Sequence, residues 1–251
     1  MSALPWVTRT QLAAGLAVLL TVAAVGQARA LTVDPSVPRL VSFGGTCVKC
    51  ELARRKLTGA KFMGCNFAGA SLVGADLRGA SFLGSNFSGA DLSRADIRGA
   101  SMSGARFSLA NFSGATLAGL EAPGVDFMNA NLARANLDNG ELQGSNLARV
   151  DARGASFADA DLTGANLAAG KFDRTSFKGA KLNGANLTGG AFARADFKGA
   201  QMVGAVLAGA DLAQAHNLTQ RQLDFAYADG GTKLPAGLSG KASAGHGSHP
   251  H

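Results

Sequence analysis

The chain has 251 residues and a formal net charge of +7, yet only 16% of its residues are charged. An ordinary chain of this length would fold as one or two domains. The 24 basic residues become 22 against 17 acidic ones once residues 1–30 are set aside as an export signal, a mild excess that excludes the strongly basic balance of a typical nucleic-acid binder.

At the N-terminus, Arg9 and the terminal amine precede an apolar stretch, Leu12 to Gly26, followed by Ala28-Arg29-Ala30. A basic start, an apolar run and a small-x-small motif predict a secretory signal over residues 1–30, cleaved after Ala30. The run is about 15 residues, short of the roughly 20 a spanning helix needs; retention as an anchor is the alternative. The sequence therefore places the mature protein in a periplasm or outside the cell. Residues 31–49 form a lead-in and N-terminal cap. Their first part, 31–46, carries Pro35, Pro38, Gly44 and Gly45 and is expected to be irregular.

From about residue 50 to 215 a large apolar residue returns every fifth position. The series starts at Leu52, Leu57, Phe62 and Phe67 and ends at Leu212. Of 33 such centres, 31 are Leu, Ile, Met or Phe, and only Ala122 and Ala152 depart, so the count is unbroken. A period of five fits neither a helix nor a strand. It fits a chain that turns a corner after each short extended piece. The residue two before the centre is small, usually Ala. The residue one before is often Asp, Asn or Ser, and the residue two after is usually Gly, which eases a tight turn. Centre and small residue point inward together. Sorted by a period of twenty, the centres fall into four columns. One reads Phe67, Phe87, Phe107, Phe127 and then Leu147, Leu167, Leu187, Leu207. When Phe leaves one pair of columns it appears on the other, as a bore of constant width requires. At Ala122 the missing volume is expected to be made up by Phe112, Phe127, Leu120 and Val125.

Blocks such as Ala75-Asp76-Leu77-Arg78-Gly79 and Ala185-Asn186-Leu187-Thr188-Gly189 carry the pattern A(D/N)LXX. In this the chain resembles the pentapeptide-repeat family over about two-thirds of its length. The resemblance implies an all-β fold: a right-handed quadrilateral parallel β-helix, or solenoid, with four pentapeptides per coil. At 33 centres that is about eight coils and, at roughly 4.8 Å per coil, a rod about 40 Å long. Residues 216–237 are expected to cap it. Thr219-Gln220-Arg221-Gln222 is a capping box that predicts a short helix with Leu223, Ala226 and Tyr227 on one face. Residues 238–251, rich in Gly, Ser and Ala, read as a disordered tail containing His246, His249 and His251.

Three features are candidates for chemistry. Cys47-x-x-Cys50, with Cys65 downstream, suits one structural disulfide in an oxidising compartment; pairing of either with Cys65, or a redox pair, are alternatives. No His lies nearby to complete a zinc site. The His residues of the tail suit weak metal capture, while His216 marks the end of the repeat. The third feature comes from the twenty-residue sorting. Arg54, Arg94, Arg134, Arg174 and Arg194 all fall two residues after centres of one column, and Arg78, Arg98, Lys178 and Lys198 follow centres of the next. They predict a basic strip, interrupted by Asp138 and Asp173. No nucleophile–base set and no phosphate-cradling glycine motif is present.

These readings predict a non-catalytic structural or interaction scaffold that needs no cofactor. Its partner would be another protein or an anionic surface, with no specific nucleic acid expected. Some members of the family resembled imitate DNA through an acidic surface; a net positive charge and an export signal speak against that here. The alternatives are polyanion binding (nucleic acid, anionic polysaccharide or lipid) along the strip, and metal or redox handling through Cys47 and Cys50 or the His tail. The resemblance also implies a homodimer formed through the C-terminal end, to which Phe225 and Tyr227 would contribute if exposed.

Overall fold

The computed structural model describes residues 41–43 and 45–240; the expected signal segment, 1–30, and the three tail histidines lie outside them. Its regularity starts in the backbone hydrogen bonds of one pentapeptide. In Ala165–Ala169, the Ala165 N–H donates to Leu162 O across the preceding turn. The Asn166 N–H donates down to Ser145 O, and the Leu167 and Ala169 N–H groups donate up to Asn186 O and Thr188 O. The fifth amide, Ala168, donates to the Asn166 side chain, Oδ1, at 3.2 Å. All five donors are satisfied, and the Asx bond accounts for the preference for Asp or Asn before each centre.

Each centre thus opens a four-residue turn closed by an i→i+3 hydrogen bond. Its third residue alone takes positive φ, as in type II turns: Gly69 at 65°, Gly89 at 66°. The straight piece between corners holds a single bridged residue. The bridges run parallel and without a break at a spacing of twenty, from Thr46↔Asn66 to Asp196↔His216. Four turns per twenty residues make a four-sided coil, and each coil lies on the last. Two longer pieces qualify as strands, β1 (Val41–Phe43) and β2 (Lys61–Met63), which pair in the same register. Part of the stretch expected to be irregular is therefore already laid in the ladder, because Pro38 lies upstream of it and leaves its amides available to pair.

Centres and small residues fill the bore. Phe67, Phe87, Phe107 and Phe127 stack with ring centroids 4.9, 5.1 and 5.6 Å apart. Phe157, Phe177 and Phe197 do so on another side at 5.5 and 5.3 Å, matching the coil rise. Around Ala122, Leu120 and Val125 are fully buried and Phe112 meets Phe127 at 5.4 Å. A further compensation was not expected: Gly140 lies above Leu120, where a Cβ would come 3.1 Å from its Cδ2. Near Ala152, the Phe172 and Phe192 rings turn over Gly170 and Gly190, where a Cβ would stand 2.4 and 2.7 Å from ring carbons.

At the C-terminal end the chain leaves the twenty-residue register, with bridges Val206↔Tyr227 and Asp211↔Lys233. The helix α1 (Gln220–Leu223) is one turn long and carries the expected capping box on Thr219. The Gln222 Nε2 amide also donates to Phe197 O and Ala200 O at 2.9 and 2.8 Å, and Thr232 Oγ1 donates to Leu207 O at 2.9 Å. Of these carbonyls, Ala200 O is the one a further coil would have paired; Phe197 O and Leu207 O also accept the N–H of Ala200 and Ala210 within their own turns. Leu223 and Ala226 are buried, but Tyr227 is 51% exposed, contrary to expectation. The helix has ended before it, and in the extended segment that bridges Val206 successive side chains alternate, Ala226 inward and Tyr227 outward.

Candidate interaction surface

Arg54, Arg94, Arg134, Arg174 and Arg194 all stand at the positive-φ corner position, with φ of 57–59°, and all are exposed. A non-glycine residue there costs about 1–2 kcal/mol, and Asn or Asp carries that cost more readily than Arg. The solenoid uses Gly for most such corners, Asn or Asp at Asn129, Asn139 and Asp159, and other residues singly in another column, at Lys49, Leu109, Arg149 and Ala169. Strain accepted repeatedly for one residue type in one column is the kind of outlier that points to function. The side chains lie in a defined way: the Cγ atoms of Arg54, Arg94 and Arg134 come within 3.8–3.9 Å of where a Cβ would stand on Gly74, Gly114 and Gly154. Each stem crosses the bare glycine of the coil above, and the first three arginines recur on alternate coils, about 10 Å apart. Among the described residues, no carboxylate lies within 4.0 Å of any of the five guanidinium groups.

The second column behaves differently. Arg78 makes a two-point contact with Asp76 at 2.8 and 2.7 Å, and Arg98 with Asp96 at 2.8 and 2.6 Å. Lys178 reaches Asp196 at 3.4 Å, while Lys198 donates its backbone N–H to the same carboxylate. These bonds, first of all the side-chain bond from the neighbouring Arg, hold the Asp76 and Asp96 carboxyls below the usual carboxylate range. The two columns also occupy successive corners, 53–54 and 58–59 in the first coil, with one face between them. The nine residues are therefore one column of five unpaired guanidinium groups and a second column whose charge is largely balanced within the chain. Asp138 and Asp173, expected to interrupt them, differ in effect: Asp138 is turned to Ser156 Oγ and the Ala158 N–H, whereas Asp173 stands on the coil of Arg174.

Cys47 and Cys50 form a disulfide across a single turn, with Cα atoms 5.3 Å apart. Both occupy inward positions of the pattern, centre and small residue, and pack against the core. Cys65 is buried at a small position three pentapeptides after Cys50, its Sγ 3.6 Å from Met63 O. Among the described residues no group of three His, Cys, Asp or Glu is placed to hold a metal, and no helix is long and apolar enough to cross a membrane. His216 closes the regular ladder opposite Asp196. A depression of about 550 Å³ beside Val203, Arg221 and Phe225 is open to solvent and gathers no acid–base pair.

The model of pentapeptide repeats matches in eight copies, among them 47–84, 60–99, 70–108, 90–129, 110–147, 130–168 and 191–220. The chain belongs to the pentapeptide repeat family. Its solenoid is accordingly the right-handed quadrilateral β-helix of that family. Among solved structures it is similar to HetL, a pentapeptide repeat protein involved in heterocyst differentiation regulation from the cyanobacterium Nostoc sp. strain PCC 7120. The identity is 27% over 71% of this chain and 80% of HetL, with a TM-score of 0.68. A trypsin-treated form of QnrB1, a plasmid-mediated fluoroquinolone resistance protein, is 22% identical over 74% of this chain and 90% of its own, with a TM-score of 0.42. A pentapeptide repeat protein of the Arabidopsis thaliana thylakoid lumen is 28% identical over 44% of this chain and 70% of its own, with a TM-score of 0.30. No curated protein matches the chain.

Proposed function

We propose that this pentapeptide repeat protein is an exported, non-catalytic scaffold that docks a negatively charged partner protein along the column Arg54, Arg94, Arg134, Arg174 and Arg194. The observation that carries the reading is that all five guanidinium groups stand at strained corners without a carboxylate partner. A bore filled by Phe and Leu leaves no enclosed site for a reaction, and the likeness to HetL, a protein involved in regulation, supports action through contact. Self-association through the C-terminal end is supported by Phe225 and Tyr227, 60% and 51% exposed there. Direct binding of a soluble polyanion is the second reading; the regular, one-sided row favours it over the cysteines or the tail histidines as the binding element.

The test is capture of partners from the native compartment by the wild-type chain and by R94G/R134G/R174G. Glycine relieves the corner strain, so the variant should melt no lower than wild type while losing the partner. Capture of the same partner with undiminished yield would refute the docking role of the column. Retention on heparin that depends on these arginines and falls steeply with salt would favour the polyanion instead.

A further inference from the structure

The charge of the solenoid is not spread along it. Residues 45–240 hold twenty basic and sixteen acidic side chains, and the first coil alone, 45–64, holds five of the basic ones and one of the acidic. The fifteen of each sign in the remaining coils cancel, so the whole excess of four positive charges sits at the N-terminal end. Lys49, Arg54, Arg55, Lys56 and Lys61 carry it, opposed only by Glu51. No ion pair to a described carboxylate holds any of the five.

Their placement is a ring, not a row. Lys49 and Arg54 occupy two successive corners, their stems lying against Gly69 and Gly74 of the second coil, while Lys56 and Lys61 hold the bridge positions of the next two faces, with β1 paired on the N-terminal side of Lys61. Arg55 fills an inward position that is Ala in the four coils that follow, at Ala75, Ala95, Ala115 and Ala135. A guanidinium is tolerated in the bore only where its stem can run out of the end, and Arg55 is half-exposed. Inside the ring lie half-buried apolar groups, the Cys47–Cys50 disulfide, Leu52 and Leu57, with Val48 46% exposed beside them.

We propose that the first coil is a docking end for an anionic phospholipid surface, on which the rod stands. A flat, charged surface engages cations arranged round a perimeter all at once, whereas a linear polymer meets only those on one side. The apolar middle suits the boundary between headgroups and acyl chains, and each basic side chain held near an anionic lipid surface contributes about 1 kcal/mol of attraction. This surface is separate from the arginine column, sharing only Arg54.

The experiment is sedimentation of the full chain with vesicles of phosphatidylcholine mixed with phosphatidylglycerol, against phosphatidylcholine alone. Two variants remove equal charge: K49Q/K56Q/K61Q at the ring, and R94Q/R134Q/R174Q along the column. The wild type should bind the anionic vesicles preferentially, and added salt should release it. Each ring charge removed should weaken binding about fivefold, so the ring variant loses about a hundredfold and the column variant little. Equal binding to both kinds of vesicle, equal loss in both variants, or no loss in the ring variant would overturn the proposal. So would ring-dependent binding to heparin with none to vesicles, which would assign the ring to a soluble polyanion. Circular dichroism of both variants confirms that the solenoid is intact, since all the residues exchanged are exposed.

Discussion

Phe107 shows how much a single side chain carries in a bore one residue wide. It stacks on Phe87 and Phe127 at 5.1 and 5.6 Å and meets Phe82 and Phe112 edge-on, so Phe107→Ala should cost about 3–5 kcal/mol, measured by denaturant unfolding. Ser145 is the opposite case. It fills an inward position usually held by Ala, and its buried hydroxyl has no hydrogen-bond partner among the described residues. Ser85 and Thr175, in equivalent positions, reach Phe62 O and Ala152 O, each at 2.7 Å. Ser145→Ala should therefore raise stability by about 1 kcal/mol, and a lower midpoint would show that the hydroxyl has found a partner. The inward place of all these residues was legible from the five-residue period. The fate of each hydroxyl was not, because it depends on which carbonyl lies within reach on the coil below. Nor did the pattern show that Gly140, Gly170 and Gly190 make room for large neighbours, since those contacts join positions two, three or twenty residues apart in both directions.

Among the elements, the corner pairs set the response to pH. The Asp76, Asp96 and Asp151 carboxyls are held low, first by side-chain bonds from Arg78, Arg98 and Arg153. A carboxyl whose folded value is depressed adds stability above its unfolded value, about 3.9, and loses it as pH falls through the lower folded one. Thermal midpoints should thus be level from pH 7 to about pH 5 and decline below about pH 4. The decline should shrink in high salt, because these pairs are exposed. The pairing itself is legible in the sequence, since Asp-x-Arg puts both side chains on one face, two residues apart; the predicted strip sets only Asp138 and Asp173 against its cations and leaves out Asp76 and Asp96. The cap was legible in its Thr219 box but not in its register. The slip of one and two residues at Tyr227 and Lys233 follows from fitting a helical turn into a coil, which no local motif specifies. In Gln222→Ala, the carbonyls of Phe197 and Ala200 lose a donor; exchange of amides in the last coil should accelerate while the first coils are unaffected.

On the scale of the whole molecule, the two ends are built by different means. The C-terminal end is closed by side chains bonded to carbonyls, whereas the N-terminal coil is pinned by a disulfide that closes only a four-residue loop. In the loop-entropy view such a short closure contributes about 2 kcal/mol, so C47S/C50S should lower stability by no more than that and leave the Phe stacks in place. The overall architecture was readable because one simple rule is repeated through more than half the chain. The polarity of charge between the two ends was not. It appears only when residues are grouped by coil and each cation is checked for its acid.

The unbroken spacing of twenty between bridged residues also governs which changes of length the rod can absorb. Excising one full circuit, 85–104, would shorten the rod by about 4.8 Å and return every later residue to the side of the square it already occupied. Excising five residues would turn everything downstream by a quarter and bring each Phe column over another side. The lengths open to such a chain therefore come in steps of one circuit, and insertions or losses that preserve orientation should be multiples of twenty.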